Sequence, residues 1–419
     1  MIVQTRSPLA REPARGPARW LAALLALAVL CVVLVALVRH RQPQPVPVRA
    51  ANAVGDSTCV SCHTDKASFE GTAHRLTTRH PSRDAIAGSF AVGKNVLRTT
   101  NPDVHFRMDE VPDGFEETAV TGRAPDTTTH AEKIAYVVGS GRKGQSFLYW
   151  RGDRLYQLPV SYWRSLDSWI NSPGPGYVEG QVNFERSVGP RCLECHATWI
   201  QARPALTSVN DFDSTGAILG ITCERCHGSG QAHVARERSV LRFVSGAAIV
   251  NPARLERDRQ LETCGQCHGG LGSPKVPSFS YVAGRRLEDY LHIPKQDPNA
   301  TVDVHGNQLA LLARSKCFAS SQMTCLTCHD VHRTQRNVVE LSGKCLSCHT
   351  EQSCGLYPTE GHALAGRCVD CHMPLQKSNL IVSALGREKE QVLVRNHWIR
   401  VYQDSVSRGG GAPGAAGGS

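Results

Sequence analysis

The sequence has only one long apolar run, no basic stripe and a long stretch without cysteine. The apolar run covers 19 uncharged residues at 20–38, and no run of that length follows it. Of the formal net charge of +10, residues 1–41 supply +5 through six Arg and one Glu, and Lys and Arg are not clustered elsewhere. Without a basic stripe, nucleic acid is not an expected partner. No Cys lies at 64–191, although the chain has 17.

The remaining cysteines follow one pattern, Cys-X-X-Cys-His, which occurs seven times and is numbered here as motifs 1 to 7 in chain order. This pentapeptide is typical of c-type haem attachment: both thiols add to the haem vinyl groups, and the His ligates iron from one face. A zinc knuckle or a thiol redox pair is the alternative, but neither requires His directly after the second Cys. The sequence therefore predicts seven covalently bound c-type haems. The predicted attachment residues are Cys59, Cys62, Cys192, Cys195, Cys223, Cys226, Cys264, Cys267, Cys325, Cys328, Cys345, Cys348, Cys368 and Cys371. The predicted proximal ligands are His63, His196, His227, His268, His329, His349 and His372.

Three cysteines lie outside the motifs, at Cys31, Cys317 and Cys354. Cys31 belongs to the apolar run and is expected to be inert. Cys317 and Cys354 form a candidate disulfide if both face an oxidising compartment. The alternative is two free buried thiols, and the sequence leaves both open.

The N-terminus predicts a location. A run of this length suits a transmembrane helix and exceeds a typical signal-peptide core. Arginines flank it on both sides, so the positive-inside rule favours a cytoplasmic N-terminus only modestly. Because c-type haem is attached outside the bacterial cytoplasm, we expect a single-pass inner-membrane protein with a periplasmic haem domain. The alternative is a leader cleaved near Ala51-Asn52-Ala53.

The motifs are unevenly spaced, which predicts the organisation of the chain. Six of them crowd into the second half, too densely for an ordinary side-chain core. We therefore expect a mainly α and coil fold with the haems as the core and a small β-containing insert between haems 1 and 2. The predicted segments are 1–41 (tail and anchor), 42–54 (Pro-rich linker), 55–80 (first haem), 81–190 (haem-free insert), 191–400 (six haems) and 401–419 (disordered Gly/Ala-rich tail).

The insert contains a hairpin signal. Residues 145–162 are two β-prone runs around a Gly-Asp turn, and 167–170 reads as a short helical turn. The insert's many aromatic residues either form its own core or touch haem, and a core is the simpler interpretation.

Histidines outside the motifs are candidates for the second axial position of each iron. A haem with two axial His suits electron transfer, whereas an open position binds small substrates. The chain has 18 His, and ten remain after the seven proximal ligands and His40 are set aside. His332 follows proximal His329 by three residues, which span only roughly 10 Å when extended. That is too short to pass round a porphyrin, so His332 is expected to bind the iron of a neighbouring haem, and His233 after His227 likewise.

Several longer segments resemble a known superfamily. They are Cys-Glu-Arg-Cys-His-Gly-Ser-Gly-Gln-Ala-His at 223–233, Cys-Leu-Thr-Cys-His-Asp-Val-His at 325–332, Gly-His at 361–362 before Cys-Val-Asp-Cys-His-Met-Pro at 368–374, and Arg-Asn-His-Trp-Ile at 395–399. The chain resembles the multihaem cytochromes c that include tetrahaem electron carriers, pentahaem nitrite reductases and octahaem hydroxylamine oxidoreductases, and is most similar to their membrane-anchored bacterial members. The resemblance implies distal ligation by His233, His332, His362 and His397 and, by weaker analogy, by His74 and His305. The seventh distal ligand stays open among His80, His105, His130 and Met108.

Two functions are compatible with this resemblance. The chain lacks the Cys-X-X-Cys-Lys motif of the nitrite reductases and an eighth motif as in the hydroxylamine oxidoreductases. We therefore favour an electron-transfer protein linking quinol-dependent membrane enzymes to periplasmic redox partners. The alternative is an oxidoreductase that acts on a small nitrogen or sulfur compound at one five-coordinate haem.

Overall fold

The computed structural model describes residues 21, 24–30, 45–174, 177–203, 209–239, 249–293, 301–385 and 388–403. The chain divides into two compact units, Met1–Gln44 with Ala232–Ala248, and Pro45–Gln231 with Ile249–Ser419. All seven motifs belong to the second unit. Cys31 and residues 404–419 of the predicted tail lie outside the described residues.

Strands occur along most of the described chain. They are β1 (Thr78–Arg79), β2 (Val96–Arg98), β3 (Val104–Val111), β4 (Gly114–Arg123), β5 (Asp126–Lys133), β6 (Tyr136–Val138), β7 (Gly144–Arg151), β8 (Arg154–Trp163), β9 (Ser168–Asn171), β10 (Arg186–Ser187), β11 (Ala197–Ala202), β12 (Phe212–Leu219), β13 (Ser273–Pro274), β14 (Leu291–His292), β15 (Leu375–Leu385) and β16 (Glu388–Arg395).

Helices are short and mostly accompany the motifs. The α-helices are α1 (Asp56–Val60), α2 (Pro190–Glu194), α3 (Cys223–His227), α4 (Gln231–Glu237), α5 (Arg257–His268), α6 (Gln308–Ala313), α7 (Lys316–Ala319), α8 (Val338–Gly343), α9 (Tyr357–Glu360) and α10 (Cys368–His372). The 3-10 helices are Ala50–Asn52, Thr64–Gly71, Pro252–Arg254, Leu287–Asp289, Cys325–Thr327, Lys344–Ser347, Glu351–Ser353 and Gly361–Gly366.

The insert is built from two antiparallel sheets. One has the order β2-β3-β4-β5, and the other has the order β1-β6-β7-β8-β10 with β9 also paired to β8. Burial in β3 alternates, with Val104, Phe106 and Met108 buried, as expected for a strand with one face on a core. The predicted hairpin at 145–162 is confirmed as β7 and β8, joined where Gly152 has φ +59°. The helical turn predicted at 167–170 is wrong, because β9 continues the sheet there.

Hydrophobic side chains form the core of the insert. Both sheets contribute to it, and Phe106, Phe147 and Tyr149 are among its fully buried members. A second cluster joins the insert to motif 2 through Leu155 of β8 and Leu193 of α2. The aromatic residues of the insert therefore pack mainly on one another, as the simpler interpretation has it.

The predicted fold class is wrong. Of the described residues, about 30% are in helices and 28% in strands, with many antiparallel sheets, so the fold is not mainly α and its core is not a helical packing around haem. Strands also occur where the motifs crowd, as the antiparallel pairs β11–β12 and β15–β16. The reason is that β-branched and aromatic side chains, such as Trp199, Ile200, Ile381 and Val382, favour strands, a signal that the density of the motifs obscured.

The predicted location is also contradicted. Among the described residues, no helix has the length and apolar character needed to cross a membrane. The apolar run at 20–38 lies largely outside the described residues. The single-pass inner-membrane anchor with a cytoplasmic N-terminus is accordingly not retained.

Candidate haem centres

Each motif begins within or next to a helical turn. In motif 1 the backbone N–H of His63 donates to the carbonyl oxygen of Cys59 over 2.9 Å, and motifs 5 and 6 repeat this bond at 3.0 Å. Residues four apart on a helical turn share one face. The first thiol and the imidazole of a motif therefore lie on the same side, as haem attachment requires.

A buried carboxylate from motif 3 holds the start of motif 1. Glu224 is 2% exposed and accepts hydrogen bonds from the backbone N–H groups of Val54 and Gly55 at 3.1 Å. It also accepts from the N–H of Gly230 at 2.8 Å. Since Gly55 caps α1, Glu224 satisfies backbone donors at the helix start that otherwise lack a partner.

Motif 1 provides an equivalent interaction to motif 3. Asp56, the first residue of α1, accepts from the backbone N–H of Cys223 at 2.9 Å and pairs with Arg75 Nε at 2.7 Å. Each of the two motif helices therefore begins at a carboxylate supplied by the other. Motifs 1 and 3 are therefore joined by hydrogen bonds in both directions, although 160 residues separate Cys62 from Cys223 in the chain.

Thiols from different motifs lie near one another. In each of four pairs, the two thiols shift each other's pKa. The pairs are Cys223 with Cys59, Cys267 with Cys195, Cys264 with Cys325 and Cys345 with Cys368. These pairs bring together motifs 1 and 3, 2 and 4, 4 and 5, and 6 and 7.

Three motif histidines face a second imidazole from a distant part of the chain. The pairs are His227 with His332 (6.1 Å between ring centroids, planes at 26°), His329 with His397 (6.3 Å, 33°) and His268 with His74 (6.0 Å, 81°).

These separations test whether the residues fit a haem. Two imidazoles that bind one metal from opposite sides, each through a bond of roughly 2 Å, have ring centroids about 6 Å apart. The three observed separations, 6.0–6.3 Å, have that value. The residues therefore fit a haem ligated by two His at motifs 3, 4 and 5.

His305 is a neighbour of His196 in motif 2. Burial, with His305 as a secondary cause, lowers the pKa of His196 to about 4. Burial also lowers the pKa of His305, with His268 as a lesser cause.

Burial favours the neutral form, which binds metal, in five of the six paired imidazoles. It lowers the pKa of His74 to about 4, with His268 as the next cause, and it lowers the pKa of His397 to about 4. The pKa values of His268, His329 and His332 are lowered chiefly for the same reason.

The second ring nitrogen, Nδ1, has a defined partner in several histidines. The groups that contact Nδ1 are backbone carbonyl oxygens, a hydroxyl, an amide and a carboxylate. The partners are Val250 O for His227 (2.7 Å), Arg400 O for His372 (3.0 Å), Arg395 O for His397 (3.1 Å), Thr77 Oγ1 for His196 (3.0 Å), Gln308 Oε1 for His268 (3.3 Å) and the Glu351 carboxylate for His362. Such partners orient a metal-binding ring and leave Nε2 for the metal.

Two of the predicted distal ligands, His362 and His233, lie beside carboxylates. His362 is held by Glu351, and its Nε2 lies 3.4 Å from the hydroxyl of Tyr357. His233 is on α4, where its Nδ1 lies 3.8 Å from Glu237 in an i, i+4 pair. Their ligation stays a prediction.

The four candidates for the seventh distal ligand, which lie in and beside the insert, are surrounded by residues of the insert. His80 packs on Tyr136, and His130 stacks on Phe184 at 4.3 Å. Met108 is fully buried in the insert's core. Burial lowers the pKa of His105, which also neighbours two arginines. Each of these side chains has a role in the insert itself, and the seventh distal ligand stays open.

Cys317 and Cys354 are both free, half-buried cysteines and are not joined by a disulfide in this structure. Cys317 neighbours Cys328 of motif 5, whereas Cys354 neighbours the two thiols of motif 7.

Comparison with known proteins agrees with this geometry. The family model described as cytochrome c554 and c-prime matches residues 176–228, which contain motifs 2 and 3. This stretch of the chain is similar to cytochromes c, and the similarity implies covalently bound haem. No curated protein and no solved structure matches the chain significantly. Within the described residues, no group of three or more His, Cys, Asp or Glu is arranged to hold a bare metal ion.

Sequence reasoning missed the residues that support the motifs. Glu224, Asp56, Thr77, Gln308 and Glu351 each contact a motif or an axial candidate through a hydrogen bond. The acidic residues next to motif cysteines, Glu224 in particular, were a usable signal. Their partners lie far away in sequence, so no local pattern indicated the pairing.

Proposed function

We propose that the protein is a c-type cytochrome that binds seven haems and transfers electrons along a chain of adjacent haems between redox partner proteins. The observation that carries the proposal is the opposition of His332 to His227, His397 to His329 and His74 to His268. A haem ligated by two His carries single electrons and leaves no position for a substrate.

Contacts between motifs support a continuous path. Because a motif thiol would bond to the edge of its haem, neighbouring thiols favour two haem edges close together. The four thiol pairs bring together motifs 1 and 3, 2 and 4, 4 and 5, and 6 and 7. Cys226 also raises the pKa of Cys264, and Cys348 that of Cys328, which relates motif 3 to 4 and motif 5 to 6. Motif 4 is therefore adjacent to motifs 2, 3 and 5, and the path does not follow the order of the sequence.

The buried carboxylates maintain this arrangement. Glu224 and Asp56 tie motifs 1 and 3 at fixed separation through backbone hydrogen bonds. Arg191 donates to Glu194 at 3.0 Å and to the carbonyl oxygen of Gln266 at 3.0 Å, so it links motif 2 to motif 4. Fixed separations favour electron transfer, because small changes between centres alter its rate.

The test combines the intact mass of the mature holoprotein with quantitative low-temperature EPR of the ferric form. We expect a mass increment for seven haems and only low-spin signals. The variant His74→Ala should produce one high-spin equivalent, whereas His292→Ala, on the exposed end of β14, should not. Fewer than seven haems would contradict the count. One high-spin equivalent in the unaltered protein would contradict electron transfer as its only activity and favour the oxidoreductase alternative.

A further inference from the structure

Buried charged side chains lie where motifs 2, 3 and 4 meet. Glu194 is between the two cysteines of motif 2, and Arg225 is between those of motif 3. Their side chains are only 6% and 5% exposed. Arg191, directly before motif 2, has a side chain that is 16% exposed. Charges at this depth act more strongly on their surroundings than exposed charges, because water and salt screen them less.

Hydrogen bonds hold these three side chains in place. Arg191 donates to Glu194 Oε2 and to the carbonyl oxygen of Gln266, which lies between the cysteines of motif 4, in both cases at 3.0 Å. Arg225 Nη2 donates to the carbonyl oxygen of Glu194 at 3.1 Å and lies 3.8 Å from its Oε1. We refer to Arg191, Glu194 and Arg225 as the junction group, because it connects all three motifs.

The junction group has an excess of positive charge, since it contains two arginines and one carboxylate. Glu194 Oε1 also accepts from the backbone N–H of Phe279 at 2.7 Å. Arg225 Nε is buried and has no hydrogen-bond partner in the part of the chain that the structure describes. A further arginine, Arg49, donates to the carbonyl oxygen of Phe279 at 2.8 Å and so adds charge of the same sign nearby.

The charges of the junction group act on thiols of all three motifs. Cys267 is the main cause that lowers the pKa of Cys195 to about 7; the two arginines act in the same direction, and the carboxylate acts against them. Burial raises the pKa of Cys226 in motif 3, and Arg225 opposes that rise. Cys195, and then burial, raise the pKa of Cys267 in motif 4, and both arginines oppose that rise. A nearby positive charge favours the thiolate, so the positive charge reaches the points at which haem would be attached.

The other buried charge of motif 3 faces away from the junction group. Glu224 accepts hydrogen bonds from the backbone N–H groups of Val54 and Gly55, so its carboxylate lies against motif 1. Arg225, the next residue in the chain, lies against Glu194 of motif 2. The negative charge of motif 3 is therefore directed toward motif 1, and its positive charge toward motifs 2 and 4.

We propose that Arg191 and Arg225 raise the reduction potentials of the haems of motifs 3 and 4, so that the junction group stabilises an electron in transit. The inference rests on the proposed function. The residues at both motifs fit a haem, because each motif histidine faces a second imidazole at the expected separation. Reduction of ferric haem adds one negative charge, which a fixed and buried positive charge stabilises.

The experiment is a redox titration of the holoprotein followed by low-temperature EPR. The low-spin signals that His332→Met and His74→Met remove identify the haems of motifs 3 and 4. Arg225→Met keeps a long unbranched side chain but removes the charge. We expect it to lower both reduction potentials by the equivalent of about a tenfold loss of electron affinity, which is roughly 59 mV for one electron.

Glu194→Gln distinguishes an effect of charge from an effect of structure. It changes the same hydrogen-bonded group but removes negative charge, so we expect it to raise the potentials that Arg225→Met lowers. Damage to the packing would admit water in both variants and shift their potentials in the same direction. Arg225→Lys keeps the positive charge and should keep the original potentials. If Arg225→Met incorporates haem incompletely, Arg191→Met takes its place with the same expected direction.

Arg123→Gln is the matched control. It also removes one positive charge, but that side chain is 74% exposed and belongs to the insert. Its removal should leave both potentials unchanged, because solvent screens an exposed charge. The haem propionates and the other charges of the protein are the same in every variant, so they do not affect the comparison.

Three results would overturn the proposal. They are unchanged potentials in Arg225→Met, shifts of the same sign in Arg225→Met and Glu194→Gln, and a shift in Arg123→Gln as large as that in Arg225→Met. With seven low-spin haems in the unaltered protein, each of these results leaves the proposed function intact. Haem missing from motif 3 or 4 in the unaltered protein contradicts the proposed function as well, so the two failures are distinguishable.

Discussion

The imidazole of His332 lies 6.1 Å from that of His227, although His332 follows the motif 5 histidine His329 by only three residues. This contact agrees with the sequence prediction, because three residues are too few for His332 to pass round the haem of motif 5. His329 in turn faces His397. Motifs 3 and 5 therefore share ligand segments, and a change at one segment is expected to alter its neighbour.

Ring orientation leads to the first prediction. His227 and His332 have planes at 26°, whereas His268 and His74 have planes at 81°. Near-parallel and near-perpendicular axial imidazoles give different ferric low-spin EPR signals. We expect His332→Met to remove one near-parallel signal and His74→Met to remove a broad signal of the near-perpendicular type. Loss of the same signal in both variants would contradict the assignment.

The buried carboxylate of Glu224, which holds the start of motif 1, leads to the second prediction. Glu224→Ala leaves the backbone N–H groups of Val54, Gly55 and Gly230 without their acceptor, and unsatisfied buried donors are costly. We expect the free energy of unfolding to fall by about 2–5 kcal/mol. Denaturant unfolding followed by Soret absorbance measures this change. Glu70→Ala, at an exposed position, is the control and should unfold like the original protein.

The insert's own core leads to the third prediction. Phe147 is fully buried within it, and truncation of such a side chain costs about 3–5 kcal/mol. We expect Phe147→Ala to destabilise the insert, seen by near-UV circular dichroism, while haem content and the Soret spectrum are retained. Val92→Ala, at a position 98% exposed, should have no effect. Loss of haem together with the insert would show that the two are not independent.

The buried carboxyl of Glu117 leads to the fourth prediction. Burial raises its pKa well above the ordinary value, and its Oε1 accepts from the N–H of Val160 at 2.9 Å. Above the ordinary pKa the unfolded chain releases a proton that the native state still holds. The free energy of unfolding therefore falls as pH rises through that window and toward the raised native pKa.

Glu117→Gln replaces the titrating carboxyl with an amide, so the free energy of unfolding should depend less on pH. The melting temperature of both proteins, measured from roughly pH 5 to pH 8, checks it. Equal slopes in the two proteins would mean that Glu117 does not carry the linkage.

The prediction of haem attachment came from the sequence alone. Covalent attachment needs two thiols and a histidine within five residues, so the pattern is recognised without any tertiary information. The hairpin of β7 and β8 was also predictable from the sequence, because two β-prone runs flank the turn at Gly152. The reach of three residues also indicated that His332 belongs to a neighbouring motif.

The tertiary structure decided which distant residues meet. Contacts such as His74 with His268, Glu224 with Gly55 and Glu351 with His362 depend on how separate segments pack, and no short-range period encodes them. The fold class was wrong for a related reason. Motif density suggested that haem alone forms the core, whereas Phe147 and its neighbours exclude water from a side-chain core of their own. The chemistry of a motif depends on residues adjacent in sequence, whereas the distances between motifs depend on how distant segments pack.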